Sequence, residues 1–348
     1  MKHLNWKIVG AGALVGLGAA LLMKLGNPGN MGICLACFIR DIAGALGLHS
    51  VEKLSVIRPE IPGFILGSLL AALAAREYKP RGGSSPAVRF ILGVTMMIGA
   101  LVFLGCPLRM ILRLAGGDLN ALVGLAGFVS GIAIGIVFLK RGFSLGRSYV
   151  QHKASGLMLP GFAILLLILL VAFPGKLILG AAHAPALAAL VAGLLVGAAA
   201  QRTRLCTAGA FRDVILIRDF SLMYGVVAIF LAALIGNLIL NPGAVNVSFA
   251  GQPAAHTDGL WNFLGLLVVG LSATLLGGCP LRQTILSGEG DNDAVVTFFG
   301  MLVGAGLSHN LGMAGSADGV ALAGQAGTIV SLLIALAIAM AYTVRAKA

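Results

Sequence analysis

The sequence predicts an all-α polytopic membrane protein built from two inverted repeats of about five transmembrane helices plus two half-helices each. Three observations carry this expectation. The 348 residues are 59% hydrophobic and only 10% charged, with a mean hydropathy of +1.00, a composition that a water-soluble domain of this length does not sustain. Apolar runs of 15 to 20 residues recur from one end of the chain to the other. Two motifs from the first half return, in the same order, in the second.

In chain order, ten spans are expected near residues 8–25, 61–75, 86–105, 119–139, 157–173, 184–200, 221–240, 260–278, 294–311 and 327–343. The first follows Lys2 and Lys7 and resembles a secretory signal. It lacks a small-x-small cleavage site before Lys24 and has an internal counterpart, so it is read as a span. Four shorter apolar pieces, at 34–47, 106–115, 206–217 and 279–287, each begin at or beside a cysteine. At about 10 to 14 residues, a helix covers only about half of a ~30 Å hydrocarbon core, so these are half-helices. Glycine supplies 50 residues, and GxxxG spacings at Gly12 and Gly16, at Gly127, Gly131 and Gly135, at Gly193 and Gly197, and at Gly300 and Gly304 read as helix packing.

The duplication organises the chain. Cys34, Arg40 and Asp41 recur as Cys206, Arg212 and Asp213 at an offset of 172, and Cys106, Pro107, Arg109 and Asp118 recur as Cys279, Pro280, Arg282 and Asp291 at 173. Two repeats, 1–173 and 174–348, follow. An odd number of crossings per repeat turns the second copy upside down relative to the first. The formal net charge of +12 is consistent with that topology. With a cytoplasmic amino terminus, the inner loops hold Lys2, Lys7, Arg76, Lys79, Arg81, Arg89, Lys140, Arg141, Arg147, Lys153, Arg202, Arg204, Arg345 and Lys347, against Lys24, Lys53, Arg58 and Lys176 outside. This is the positive-inside bias of a multi-pass protein of the bacterial cytoplasmic (inner) membrane with both termini in the cytoplasm. The basic residues sit in short loops, and no polar domain offers a nucleic-acid surface.

Six arginines remain, and topology does not ask for them: Arg40, Arg109, Arg113, Arg212, Arg218 and Arg282, all on the half-helices. They either pair with nearby acids (Arg40 with Asp41 or Asp118, Arg212 with Asp213, Arg218 with Asp219) or face a path. In Gly-Cys-Pro, proline suits the first helical turn, which places Cys106 and Cys279 at helix amino ends; the linkers before Cys34 and Cys206 are long enough to dip into the core. A helix amino end offers unpaired N–H groups and partial positive charge, a seat for a small anion, and a thiol beside it adds a soft S–H donor. A soft anion such as thiosulfate or a selenium oxyanion suits both. Cys34 and Cys37 form a CxxC whose repeat counterpart has Gly209 in the second position. The competing reading is therefore a membrane thiol enzyme, a sulfurtransferase or disulfide oxidoreductase. Haem attachment lacks its His after Cys37, the six His are too scattered for zinc, and no GxxxxGK[ST] loop occurs. No cofactor and no metal are expected.

The stretches KLGNPGNMGICLACFIRDIAGALGLH at 24–49, KPRGG at 79–83, FLGCPLRMILRLAGGDLNALVGL at 103–125, GFSLGRSY at 142–149 and GGCPLRQTILSGEGD at 277–291 resemble the YeeE/YedE sulfur-transport (thiosulfate transporter-like) family, and within it the YedE selenium-metabolism subgroup. The resemblance runs over essentially the whole chain. It implies a transporter rather than an enzyme, with an hourglass-like central path along which cysteines hold a thiosulfate-like or selenium-containing anion by S–H contacts. With no nucleotide-binding loop, the driving force is either the gradient or a cytoplasmic sulfur- or selenium-handling partner protein that consumes the substrate. Carried onto this sequence, the relay thiols are Cys34 or Cys37, Cys106 and Cys279; the half-helix reading adds Arg109, Cys206 and Arg282 to the path. Arg40, Asp41, Asp118, Arg212, Asp213 and Asp291 supply supporting charge. The repeat offset favours Cys34 over Cys37, because Cys34 aligns with Cys206.

Overall fold

The computed structural model describes residues 5–173, 178–179 and 182–345. Lys2, Lys176, Lys347 and the expected start of the second repeat at 174 lie outside the described residues.

Among the described residues, ten longer helices are α1 (Trp6–Lys24), α3 (Glu60–Ala74), α4 (Pro86–Val102), α6 (Asn120–Lys140), α7 (Met158–Ala172), α8 (Ala186–Thr203), α10 (Ser221–Leu240), α11 (Gly259–Leu276), α13 (Asn292–Asn310) and α14 (Leu322–Arg345). Four short ones are α2 (Leu35–Ala45), α5 (Pro107–Ala115), α9 (Thr207–Ile217) and α12 (Pro280–Gly288). The protein is thus an all-α, multi-pass membrane protein. Eight described stretches are long and apolar enough to cross a membrane, three of them running on into the short helix that follows. Two of the ten expected spans fall short of that standard. Helix α3 has 15 residues, about 22 Å at 1.5 Å per residue. Helix α13 begins with Asn292 and Asp293 and ends with Ser308, His309 and Asn310.

The packing is reciprocal between the halves. Helix α1 lies on α10 and α3 on α8; α4 lies on α13 and α6 on α11; α4 and α11 meet. Each half therefore folds against the other rather than beside it. The GxxxG positions sit at these contacts: a Cβ at Gly16 would come 2.5 Å from the Ile229 carbonyl oxygen, one at Gly193 2.6 Å from that of Glu60, and one at Gly304 2.9 Å from that of Val94. Small residues let backbones approach this closely where apolar lipid gives helices no hydrophobic drive to associate.

Connections gather at two ends. At one, Ser55–Val56 pairs antiparallel with Ile178–Leu179, the Ala184 amide donates to Asn27, and residues 246–248 hydrogen-bond Gly116 and Gly117. At the other, Arg81–Gly82 pairs with Tyr149–Val150, Tyr78 donates to the Lys153 carbonyl and Gln201 to Glu77. The basic loop residues Arg76, Lys79, Arg81, Arg202 and Arg204 belong to this second end. Helix α5 runs out to the first end and α12 to the second, while their amino ends point into the protein. The cysteines are therefore interior.

Candidate functional site

The local sequence explains how each thiol reaches the interior. Cys34 and Cys206 are N-cap residues in extended backbone (φ −145° and −153°), and their Sγ atoms accept the amides of Cys37 at 3.3 Å and Gly209 at 3.2 Å. A cap serine or threonine would do the same job; here a thiol does. Cys106 and Cys279 are N-caps too, with Pro107 and Pro280 at N1 and their own thiols free of capping duty. The break before Cys279 uses Gly277 at φ +81°; the corresponding break before Cys106 puts Leu104 at φ +63°, where a side chain is strained.

The four capping cysteines meet in two pairs. Cys34 Sγ lies 4.0 Å from Cys106 Sγ, and Cys206 Sγ lies 3.7 Å from Cys279 Sγ. Each pair joins one short helix (α2 or α9) to another that follows a broken long helix (α5 after α4, α12 after α11). Cys37 joins the first pair, 2.7 Å from Cys34 Sγ. Cys34 thus stands between Cys37 and Cys106. All five thiols are buried. Across the halves, α5 touches α9 and α12 touches α2, so the two thiol pairs belong to one contiguous core.

The arginines divide sharply. Arg40 pairs with Asp41 at 2.7 Å, not with Asp118, and Arg212 pairs with Asp213 at 2.8 Å. Asp118 instead binds Arg113 at 2.6 Å, both side chains fully buried, with Arg113 over the Phe103 ring at 4.2 Å. Arg113 Nη2 has no hydrogen-bond partner among the described residues. Asp291 caps α13 by accepting from Ala294 and binds Arg81 of the first half at 2.8 Å. Arg58, which sequence assigns to an outer loop, is buried and binds Asp41 at 2.7 Å. A polar linker residue gave no sign of this, because its partner is reached only through tertiary packing.

Arg109 is buried and has no carboxylate partner among the described residues. It donates to Cys37 Sγ at 3.4 Å, to the Asn30 carbonyl at 2.9 Å, to the Ala254 carbonyl at 3.2 Å and to the Leu104 carbonyl. All three carbonyls belong to non-glycine residues with positive φ: Asn30 at +55°, Leu104 at +63° and Ala254 at +48°. One guanidinium ties together three strained segments from three parts of the chain. Residues 241–258 close this side: Gln252 accepts from Asn30, Asn120 donates to the Phe249 carbonyl, and His256 contacts the Val102 carbonyl at 2.8 Å.

Arg282 holds the corresponding place in the second motif but has a different setting. It binds Glu289 at 2.9 Å, and Glu289 also binds Arg204 at 2.9 Å. A cavity of about 360 Å³ opens beside them, lined by Arg76, Glu77, Lys79, Arg81, Arg204, Arg282 and Glu289. The Gln201 amide, with Arg204 and Arg202 behind it, holds the Glu77 carboxyl below the usual carboxylate range. Glu289 and Arg204 were not anticipated as site residues. The available signal was Glu289 itself, a charge in GEGD where the first motif reads GGD.

Comparison with a family model covers the second half directly. Residues 202–347, which contain Cys206, Cys279 and Arg282, match the family described as "Sulphur transport". The "Thiosulfate transporter TsuA" of Spirochaeta thermophila is 31% identical over 122 residues, 32% of this chain and 33% of that protein. The match thus spans about a third of the relative's length.

Proposed function

We propose, from the match of residues 202–347 to the family described as "Sulphur transport" and from the thiol geometry, that the protein passes a small sulfur- or selenium-containing anion across a membrane along its paired interior thiols. The observation that carries the reading is the convergence of four short-helix amino ends, each with a cysteine at its N-cap position, into thiol pairs 4.0 and 3.7 Å apart. Two amino ends facing one another supply unpaired N–H groups and partial positive charge from both sides. The anion is held by S–H donors and main-chain amides, loosely enough to move from one pair to the next. Cys106 and Cys279, which accept the thiols of Cys34 and Cys206, are the sulfurs that turn their own S–H towards it. Cys34 and Cys206 form the second thiol of each pair. Hand-over changes hydrogen bonds only, and no covalent bond forms.

The reading includes an inverted arrangement of the two repeats, both termini in the cytoplasm and placement in a bacterial inner membrane. It is supported by the reciprocal helix packing, by the opposed ends to which α5 and α12 run, and by the gathering of basic loop residues at one of them. A cytoplasmic protein that consumes the anion supplies the driving force. Uptake of labelled thiosulfate and of labelled selenite into proteoliposomes tests the function and separates sulfur from selenium; equal leakage in protein-free vesicles would end it.

A second reading rests on Cys34 and Cys37. Their sulfurs at 2.7 Å are closer than two non-bonded thiols ordinarily sit, and Cys34 caps the helix on which Cys37 lies. A CxxC at a helix start is the arrangement that favours thiol–disulfide exchange. A membrane thiol enzyme requires that such a step be obligatory for turnover; transport requires only that both thiols remain reduced.

A further inference from the structure

The first and second Cys-Pro-Leu-Arg motifs have the same letters but different neighbours ten residues after the cysteine: Gly116 in one, Glu289 in the other. At Gly116 a side chain has no room, because a Cβ would run into Asn30 Oδ1. Arg109 is accordingly held by carbonyls, and residues 241–258 cover it. At Glu289 the carboxylate bridges Arg282 and Arg204 at 2.9 Å each, with only 3% of its side chain exposed. Its main chain is pinned as well, since its carbonyl accepts the Lys79 amide at 3.1 Å.

Five cations and two carboxylates face the cavity of about 360 Å³ that opens here. Both carboxylates are engaged on Arg204, which lies between Glu77 and Glu289 at 2.9 Å from each. Arg81 is drawn away to Asp291, while Arg76 and Lys79 carry no carboxylate in the described structure. The cavity thus has surplus positive charge, volume for an anion of several heavy atoms, and one buried carboxylate already fitted between two guanidinium groups. Two guanidiniums turned to a single carboxylate present the geometry that recognises a planar or tetrahedral oxyanion.

We infer that this cavity, at the outer end of the helix that Cys279 begins, is an oxyanion subsite, and that Glu289 is its resident counter-ion. A free divalent oxyanion binds by taking over Arg204 and Arg282 as Glu289 swings aside, and Glu289 returns to expel it. The subsite deepens the transport reading, giving the path an antechamber that the Cys106 side lacks, but its binding is measurable without any flux. The recognised chemistry is a small doubly charged oxyanion, and the site selects by charge rather than by sulfur softness.

Equilibrium binding of labelled thiosulfate and labelled sulfate to the purified full-length chain in detergent tests this. Glu289→Gln removes the competitor and should tighten both anions by about tenfold, and Arg204→Gln should weaken both by about as much, the magnitude of one charge-assisted hydrogen bond. Glu77→Gln frees Arg204 from its other acid and should tighten binding by a smaller factor, which keeps the test decisive should Glu289→Gln fail to purify. Unchanged affinity in Arg204→Gln, or weakened affinity in both acid-to-amide variants, overturns the subsite and leaves Glu289 a structural clasp. Phosphatidylglycerol added to the micelles should not compete; competition would assign the cavity to a lipid headgroup instead. Wild-type uptake with no effect of these variants on binding removes the subsite and keeps transport, whereas the expected binding pattern without wild-type uptake keeps the subsite and removes transport.

Discussion

Arg109 donates through Nη2 to the carbonyl of Ala254, 145 residues further along the chain, at 3.2 Å. That bond joins the second thiol-bearing motif segment of the first half to the long loop of the second. With the Asn30 and Leu104 carbonyls on the same guanidinium, it holds shut the side of the protein that covers Cys34, Cys37 and Cys106. Three residues in left-handed backbone store strain there, about 1–3 kcal/mol each, and the arginine offsets it.

Replacing Arg109 with Gln should therefore loosen the cover before it disturbs the helices. The rate at which a small maleimide labels Cys106 should rise by about tenfold or more, since hydrogen bonds to a charged group contribute about 1.5–3 kcal/mol each. Labelling of Cys279, whose sulfur pairs with Cys206 and not with the segments that Arg109 holds, should stay at the wild-type rate. Equal increases at both cysteines would show general unfolding and contradict a local latch.

The Arg113–Asp118 pair makes an opposite kind of prediction, one of stability. Both side chains are fully buried, and Asp118 also accepts the Asn120 amide at 2.9 Å. Asp118→Ala leaves a buried guanidinium over the Phe103 ring without its counter-ion and should destabilise by about 3–5 kcal/mol. Thermal unfolding of the purified protein in detergent should show the loss, and an Arg113→Met, Asp118→Leu double variant should recover part of it. A double variant as unstable as the single one would argue that the pair holds more than its own charges.

Glycine contacts between the halves are tested by contrast along one helix. Gly16→Val on α1 meets the Ile229 carbonyl and the Ala232 side chain of α10, and should cost about 1–3 kcal/mol by overpacking. Gly10→Val on the same helix meets nothing within 4 Å and should be nearly neutral. Comparable damage from both would mean that helix propensity, not close approach, explains these glycines.

Oxidation separates the two functional readings. A mild thiol oxidant should join Cys34 to Cys37, given sulfurs 2.7 Å apart, taking two electrons and releasing two protons as the S–S bond forms. Under the transport account, flux stops on oxidation and returns on reduction, and Cys37→Ala protein resists the oxidant while still transporting. Loss of all flux in reduced Cys37→Ala protein, with a trapped persulfide or mixed disulfide in the wild type, would favour the thiol enzyme.

Much of this architecture is legible in the chain because membrane helices and half-helices leave direct marks. Apolar length gives the long helices, and Gly-Cys-Pro gives the interior starts of α5 and α12, which are nine residues long in both halves. Arg58 and Asp118 escaped because loop and half-helix charges look alike in sequence while their partners depend on packing. Arg58 reads as an outer-loop charge yet is buried on Asp41, and Asp118 goes to Arg113 rather than Arg40. The cover formed by residues 241–258 escaped for the same reason. Its polar side chains have no periodicity, and their partners Asn30, Arg109 and Asn120 lie in the other half. Glu289 was visible as a departure between two otherwise matching motifs, a signal that only comparison of the repeats exposes.

Flux of labelled thiosulfate through proteoliposomes carrying Cys106 and Cys279 variants tests the thiol path most directly. Serine at either position keeps a hydroxyl donor at the helix start and should leave measurable, reduced uptake, whereas alanine removes the donor and should lower uptake by about a further tenfold. Uptake at the wild-type rate in the Cys106→Ala, Cys279→Ala double variant would contradict passage along these thiols.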